Sequence, residues 1–232
     1  MESSQIVTFV IDKNLDIASH FIALNSYKRN KEREFQQNKD NNLENLSKLV
    51  SQEEVQVEIE KSIDQYYKKE EKLLSLARDV NEEWAKIEEG FVRRLEAIHK
   101  FPFPLASVKG VLSSASRWGY KVDEGWFATS MFRNKFLCID TATHELMHFM
   151  FHKYYDQVCE DRGLSKNQMW DIKESFTVLL DIEFNDFRFQ SEYGYQPHMK
   201  LREVIKKSWE KNRDFGKTLE EAIDCVKSDS CL

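Results

Sequence analysis

Residues 144–152 read HELMHFMFH, and the reading of this stretch decides the fold. Three of the chain's six histidines lie in it, four apart, at His144, His148 and His152. Each residue of an α-helix turns about 100°, so His144 and His148 stand roughly 40° apart around the axis and one turn apart along it. Two imidazoles so placed reach a single metal ion at about 2 Å each. The competing reading is a core helix, because Leu146, Met147, Phe149, Met150 and Phe151 are core material. A buried helix with two histidines and a glutamate on one face leaves several polar groups in need of partners, and a metal satisfies them together.

His152 fails as a third ligand. It lies eight residues beyond His144, roughly 12 Å along a straight helix. The long metzincin pattern turns the chain at a glycine before its third histidine; here Phe151 and Tyr154 occupy those two positions.

The H-E-x-x-H spacing assigns zinc and a hydrolytic role. The ion acidifies a water, Glu145 takes the proton for attack on a peptide carbonyl, and the same carboxyl returns it to the leaving amine. With six histidines and 40 acidic residues among 232, chance supplies about 0.03 such triplets.

The third ligand must come from elsewhere. The helix around His144 is expected from about Asp140 to Glu160, with Asp140, Thr141 and Thr143 as caps. DRGLS (161–165) breaks it, and Ser165 with Gln168 forms a capping box that opens a second helix through about Phe189. Folded back antiparallel, that helix brings Glu174 over the first, and Glu174 is the expected third ligand. Glu160, Asp161 and Glu183 are rival ligands, and Asp171 and Asp181 are candidates for orienting a ligand histidine.

HELMH followed by a glutamate in the next helix resembles the gluzincins, zincin metallopeptidases that hold zinc with two histidines and a glutamate. HELMHFMFH is similar to the active-site helix of ImmA/IrrE-type peptidases, with Met147 in place of their usual glycine. DIKESFTVLLD (171–181) resembles the third-ligand helix of thimet-type oligopeptidases. The resemblance covers roughly residues 101–200. It implies a small antiparallel sheet whose edge strand, within WFATSMF or KFLCID, borders the cleft and accepts an extended peptide. It also implies an oxyanion donor beyond the third ligand. The loop EYGYQPH offers Tyr193, Tyr195 and His198, of which Tyr195 and His198 are taken as the catalytic candidates beside Glu145. Arg117 and Arg133 are candidates for a substrate carboxylate. His20 and His99, in amphipathic stretches, receive no role.

KFPFP (100–104) ends the helical texture that precedes it, with two prolines in three residues. Upstream, IVTFV reads as a short strand. Ile17, Phe21 and Leu24 share a helix face, QNKDNNLEN is a break, and apolar residues from Leu46 to Ile98 predict one or two long amphipathic helices. Downstream, LASVKGVLSSA, WGYKVDEGWFATSMF and KFLCID predict two or three strands, and a last helix follows from about Lys200 to Lys227.

The expected protein is therefore α+β and predominantly α. A helical part (1–100) precedes a zincin-like metallopeptidase part (101–232), as two parts or as one continuous domain. The expected partner is a peptide or protein substrate, with self-association through the N-terminal helices as a further surface. A net charge of −6 without a basic stripe excludes nucleic acid. No apolar run nears the roughly 20 residues that span a bilayer. Four scattered cysteines fit a reducing, cytoplasmic compartment, although Cys225 and Cys231 are close enough in sequence to pair. Two other functions use the same residues: a zincin-like module that binds zinc without chemistry, and a helical interaction protein with a chance H-E-x-x-H.

Overall fold

The computed structural model describes residues 5–32, 41–49, 51–115, 119–192 and 194–228. Arg117, Tyr193 and Cys231 lie outside them, so the roles proposed for Arg117 and Tyr193 and the Cys225–Cys231 pairing do too. The fold is predominantly helical with one small sheet, the α+β class read from the sequence. Among the described residues, no helix is long and apolar enough to cross a membrane.

Two compact units divide the chain differently from the expected cut at residue 100. One comprises Met1–Trp84 with Ser107–Cys138, the other Ala85–Ala106 with Ile139–Leu232. Pairing of an N-terminal strand with strands a hundred residues later draws this boundary, and local sequence texture does not carry that information.

In the first unit, β1 (Val7–Val10) is followed by α1 (Lys13–Glu32), α2 (Asn41–Leu46), α3 (Gln52–Tyr67) and α4 (Glu70–Trp84), then β2 (Val108–Ser113), β3 (Tyr120–Lys121) and β4 (Trp126–Ser130). The sheet order is β1-β2-β4-β3. Only β3 with β4 is antiparallel; β1 with β2 and β2 with β4 are parallel. The sheet is thus mixed, where an antiparallel one was expected. WFATSMF supplies β4, which lies between β2 and β3 and whose Ala128 N–H donates to the Gly119 carbonyl at 2.8 Å. It is not a bare edge for a peptide to extend. The edges are β1 and β3, and β1 is blunted by a side chain: Asn81 of α4 accepts from the Phe9 N–H and donates to the Phe9 carbonyl, both at 2.8 Å.

The helices of this unit bury Leu24, Leu43, Val55, Ile59 and Ile63 in one cluster, while Leu15, Ala18 and Ile22 of α1 cover Val111, Trp126 and Ala128 of the sheet. Asp16, fully buried, ties α1 to the end of β2 by accepting from the Ser113 hydroxyl (2.6 Å) and the Ser114 N–H (2.9 Å). The long helices expected between Leu46 and Ile98 are three shorter ones. Turns at Lys68–Lys69 and at residues 85–87 interrupt an apolar period that stays in phase across them.

The second unit holds α5 (Glu88–His99), α6 (Lys135–Asp161, whose first four residues fall in the first unit), α7 (Lys166–Phe176), α8 (Val178–Glu183), α9 (Met199–Asn212) and α10 (Phe215–Lys227). KFLCID, expected as a strand, is the first turn and a half of α6. Its cap is Asn134, whose side chain accepts from the Leu137 N–H at 3.1 Å, rather than Asp140, Thr141 or Thr143. The capping box at Ser165 and Gln168 forms as expected and starts α7. That helix ends at Phe176, short of Phe189. The last expected helix is two, split at Arg213, which adopts a left-handed φ of 49°.

His99 belongs to this core. Its ring packs against Phe215 (centroids 4.2 Å apart), and Phe215 stacks on Tyr155 and Phe176. Its Nε2 is buried with no hydrogen-bond partner among the described residues. Burial pushes the imidazole down to about 3. Between that value and the ordinary histidine value near 6.5, the unfolded chain takes up a proton that the folded chain does not, so stability is lost as pH falls below about 6.5. His99→Phe should remove this loss: comparing denaturant unfolding at pH 7.5 and pH 5, the variant should lose up to about 2 kcal/mol less than the wild type. An equal loss in both would show that His99 is not the acid-sensitive group.

Candidate metal centre

Helix α7 is unusual in its second half. Ile172, Lys173, Glu174, Ser175 and Phe176 are all buried in succession, so no face of that turn is left to solvent. A charged Lys-Glu pair is thereby carried into the interior of the second unit. Opposite it, α6 presents His148, fully buried, and His144, whose side chain is 22% exposed. The two imidazoles meet edge to face, with centroids 4.4 Å apart.

These three side chains form the only group of metal-ligating type among the described residues, with one donor atom from each lying within 4.8 Å of the others. Glu174 Oε1 is 3.3 Å from His148 Nε2, and Glu174 Oε2 is 3.6 Å from His144 Nε2. Both separations exceed the usual range for charge-assisted hydrogen bonds, about 2.7–2.9 Å. Each is close to the edge of a tetrahedron, about 3.4 Å, whose corners lie about 2.1 Å from a central ion, with the two imidazoles facing different oxygens of the carboxylate. The donor set, its spacing and its burial fit a metal ion.

Glu145 lies next to His144 on α6 and is 7% exposed. Its Oε2 is buried without a hydrogen-bond partner among the described residues. Burial pushes its carboxyl up to about 7, against the pull of His144 and Lys173. Glu174 behaves oppositely: burial opposes its charge, yet Lys173 and the two histidines hold it well below the usual carboxylate range. Burial, assisted by Lys173, pushes His148 down to about 3, which keeps it a neutral donor. For His144, burial is outweighed by Glu174 and Glu192, which push it up to about 10, so a cation entering here displaces a proton.

Glu192 went unnoticed in the sequence. Its Oε2 lies 3.2 Å from His144 Nδ1 and accepts from Arg188 Nη2, also at 3.2 Å. A carboxylate only accepts, so the Nδ1 proton points to Glu192 and Nε2 is turned toward Glu174. The main chain of Glu192 is equally fixed: its N–H donates to Asp181 Oδ1 at 2.8 Å, and its carbonyl accepts from Arg202 Nη2 at 2.7 Å. Arg188 also donates to Thr143 Oγ1 (2.9 Å), the residue before His144. Gly194 makes room for this lattice. It adopts a left-handed φ of 64°, and a Cβ there would stand 2.8 Å from Arg202 Cδ and Nε.

Asp171 and Asp181 therefore do not orient a ligand histidine. Asp171 accepts from His198 Nε2 at 3.0 Å, and Asp181 serves the Glu192 amide. Of the rival ligands, Glu183 is taken by Trp209 Nε1 and Arg213, Glu160 by Lys166, and Asp161 by Gln157. His152 turns away and pairs with Asp156 at 2.7 Å. His198 is 1% exposed, with Nε2 on Asp171 and Nδ1 buried without a hydrogen-bond partner among the described residues. Tyr195, packed on Trp170 and His198, is half exposed. Burial and the charge of Glu174 push its phenol up to about 12, which keeps it a hydrogen-bond donor. Arg133 lies in the first unit and is not among these residues. Compared with models of protein families, with curated proteins and with solved structures, the chain matches none.

If Glu192 sets the orientation of His144, Glu192→Gln should weaken binding of Zn2+, used as the probe cation, by about 10–100-fold. Competition against a chromophoric chelator measures this, with circular dichroism confirming the fold. Unchanged affinity would leave Glu192 without a positioning role.

Proposed function

We propose that this protein is a zinc-dependent peptidase of the gluzincin type, with His144, His148 and Glu174 holding the ion and Glu145 acting as general base and then acid. The observation that carries this reading is the meeting of His144 Nε2, His148 Nε2 and the Glu174 carboxylate, with His148 3.3 Å from Oε1 and His144 3.6 Å from Oε2, beside a buried Glu145 oxygen that has no hydrogen-bond partner among the described residues. Two imidazoles and one carboxylate are a donor set used by catalytic zinc, which keeps a fourth position open. A bound zinc ion supplies Lewis acidity, polarising a carbonyl and acidifying water.

The chain's own groups account for the remaining steps. Glu145 Oε2 accepts a proton from water and later gives it to the leaving amine. The Tyr195 hydroxyl donates to the carbonyl oxygen as negative charge develops there. Glu192 keeps His144 in the tautomer that can ligate. The enclosure of Glu145, Glu174 and His148 keeps bulk water from screening these charges. Exposure of His144, the least buried ligand, marks the side from which a substrate arrives.

Glu145→Gln separates this reading from a zinc-binding module without chemistry. In assays with a library of internally quenched peptides, the variant should bind Zn2+ as the wild type does and lose about 10²–10⁴-fold in turnover. Equal turnover in the two proteins, or none from the zinc-loaded wild type, contradicts a peptidase with Glu145 as its base.

A further inference from the structure

Lys173 takes no part in the chemistry above, yet it is 3% exposed and its Nζ lies 2.7 Å from Glu174 Oε1. Burying an ammonium group is costly unless a counter-charge meets it, and lysine is among the residues least often fully buried. The counter-charge here is itself a ligand, and an ammonium beside a divalent cation repels it. A group with both a folding cost and a metal-binding cost needs a reason to be at this position.

The division of the Glu174 carboxylate supplies one. Oε1 faces Lys173 and His148, while Oε2 faces His144. Without a metal, the interior also holds Glu145, one residue from His144 and within electrostatic reach of Glu174. Two buried carboxylates close together repel, and the centre would spread or fill with water unless a fixed positive charge lay against one of them. Arg188 meets Glu192 instead, while Lys173 lies against Oε1 and His144 faces Oε2.

We propose that Lys173 is a positioning residue that holds the metal-free centre assembled: it engages Glu174 Oε1, restricts the carboxylate to one donor oxygen, Oε2, and stands in for the positive charge of the ion. The inference rests on the metal-centre reading. The consequence is a site that is already formed before the ion arrives and releases it more readily than the same three ligands would alone. A single-oxygen Glu174 also leaves a coordination position open.

The test compares metal-free wild type, Lys173→Met and Lys173→Arg. Zn2+ affinity is measured by competition with a chromophoric chelator, the melting temperature is taken without metal, and Co2+ is titrated as a spectroscopic probe. Lys173→Met should bind Zn2+ at least about tenfold tighter and melt lower when metal-free, because the repulsion and the support disappear together. Its Co2+ d–d absorption should weaken as Oε1 joins the coordination sphere. Lys173→Arg, which keeps the charge, should match the wild type in all three. If Lys173→Met is unfolded without metal, Zn2+ should restore its helical signal; where it does not, Lys173→Arg decides by the same criterion. Equal or weaker Zn2+ binding by a folded Lys173→Met, or tenfold tighter binding by Lys173→Arg, overturns the proposal and leaves the metal reading standing. A wild type that binds no Zn2+ removes both.

Discussion

The second unit is organised around one constraint: the Glu174 carboxylate is buried, charged and pressed between two imidazoles of another helix. A buried carboxylate is tolerated only with positive charge or several donors around it. Lys173 meets Oε1, and the histidines face both oxygens. The strain of like charge then passes outward, because Glu145 and Glu192 also stand near His144, and Arg188 and Arg202 follow to balance Glu192 and Asp181. Charge alternates along this series, and each member is held by the next.

Helix geometry makes the meeting possible. Four-residue spacing puts His144 and His148 on one face of α6, and the capping box at Ser165 starts α7 soon after α6 ends at Asp161. The segment beyond α8, described at residues 188–192 and 194–198, adds the groups around His144. It delivers Glu192 to His144 and places Tyr195 near the same carboxylates, supported by the buried His198–Asp171 pair.

The group of His144, His148 and Glu174 was legible because each member depends on a local rule. The i, i+4 pair follows from helical period, and Glu174 follows from one turn between two helices. Glu192 was not legible, because its position is fixed by Arg188, Asp181 and Arg202, which converge only in the folded chain. His198 was legible as a loop histidine, whereas its burial and its pairing with Asp171 were not. KFLCID read as a strand because a short apolar run is the same in a buried strand and a buried helix turn, and Asn134 decides the matter by capping. The parallel pairings and the two-unit division come from contacts far apart in sequence, where periodicity is silent.

The central claim is that α6 and α7 together hold one zinc ion. Metal analysis of the protein purified without added metal, repeated after Zn2+ loading and desalting, tests it most directly when run beside Glu174→Ala. The account predicts about one equivalent of zinc on the loaded wild type, and loss of that zinc in a Glu174→Ala variant that keeps its helical signal. A loaded wild type with far less than one equivalent, or a variant that retains zinc as tightly as the wild type, would contradict it.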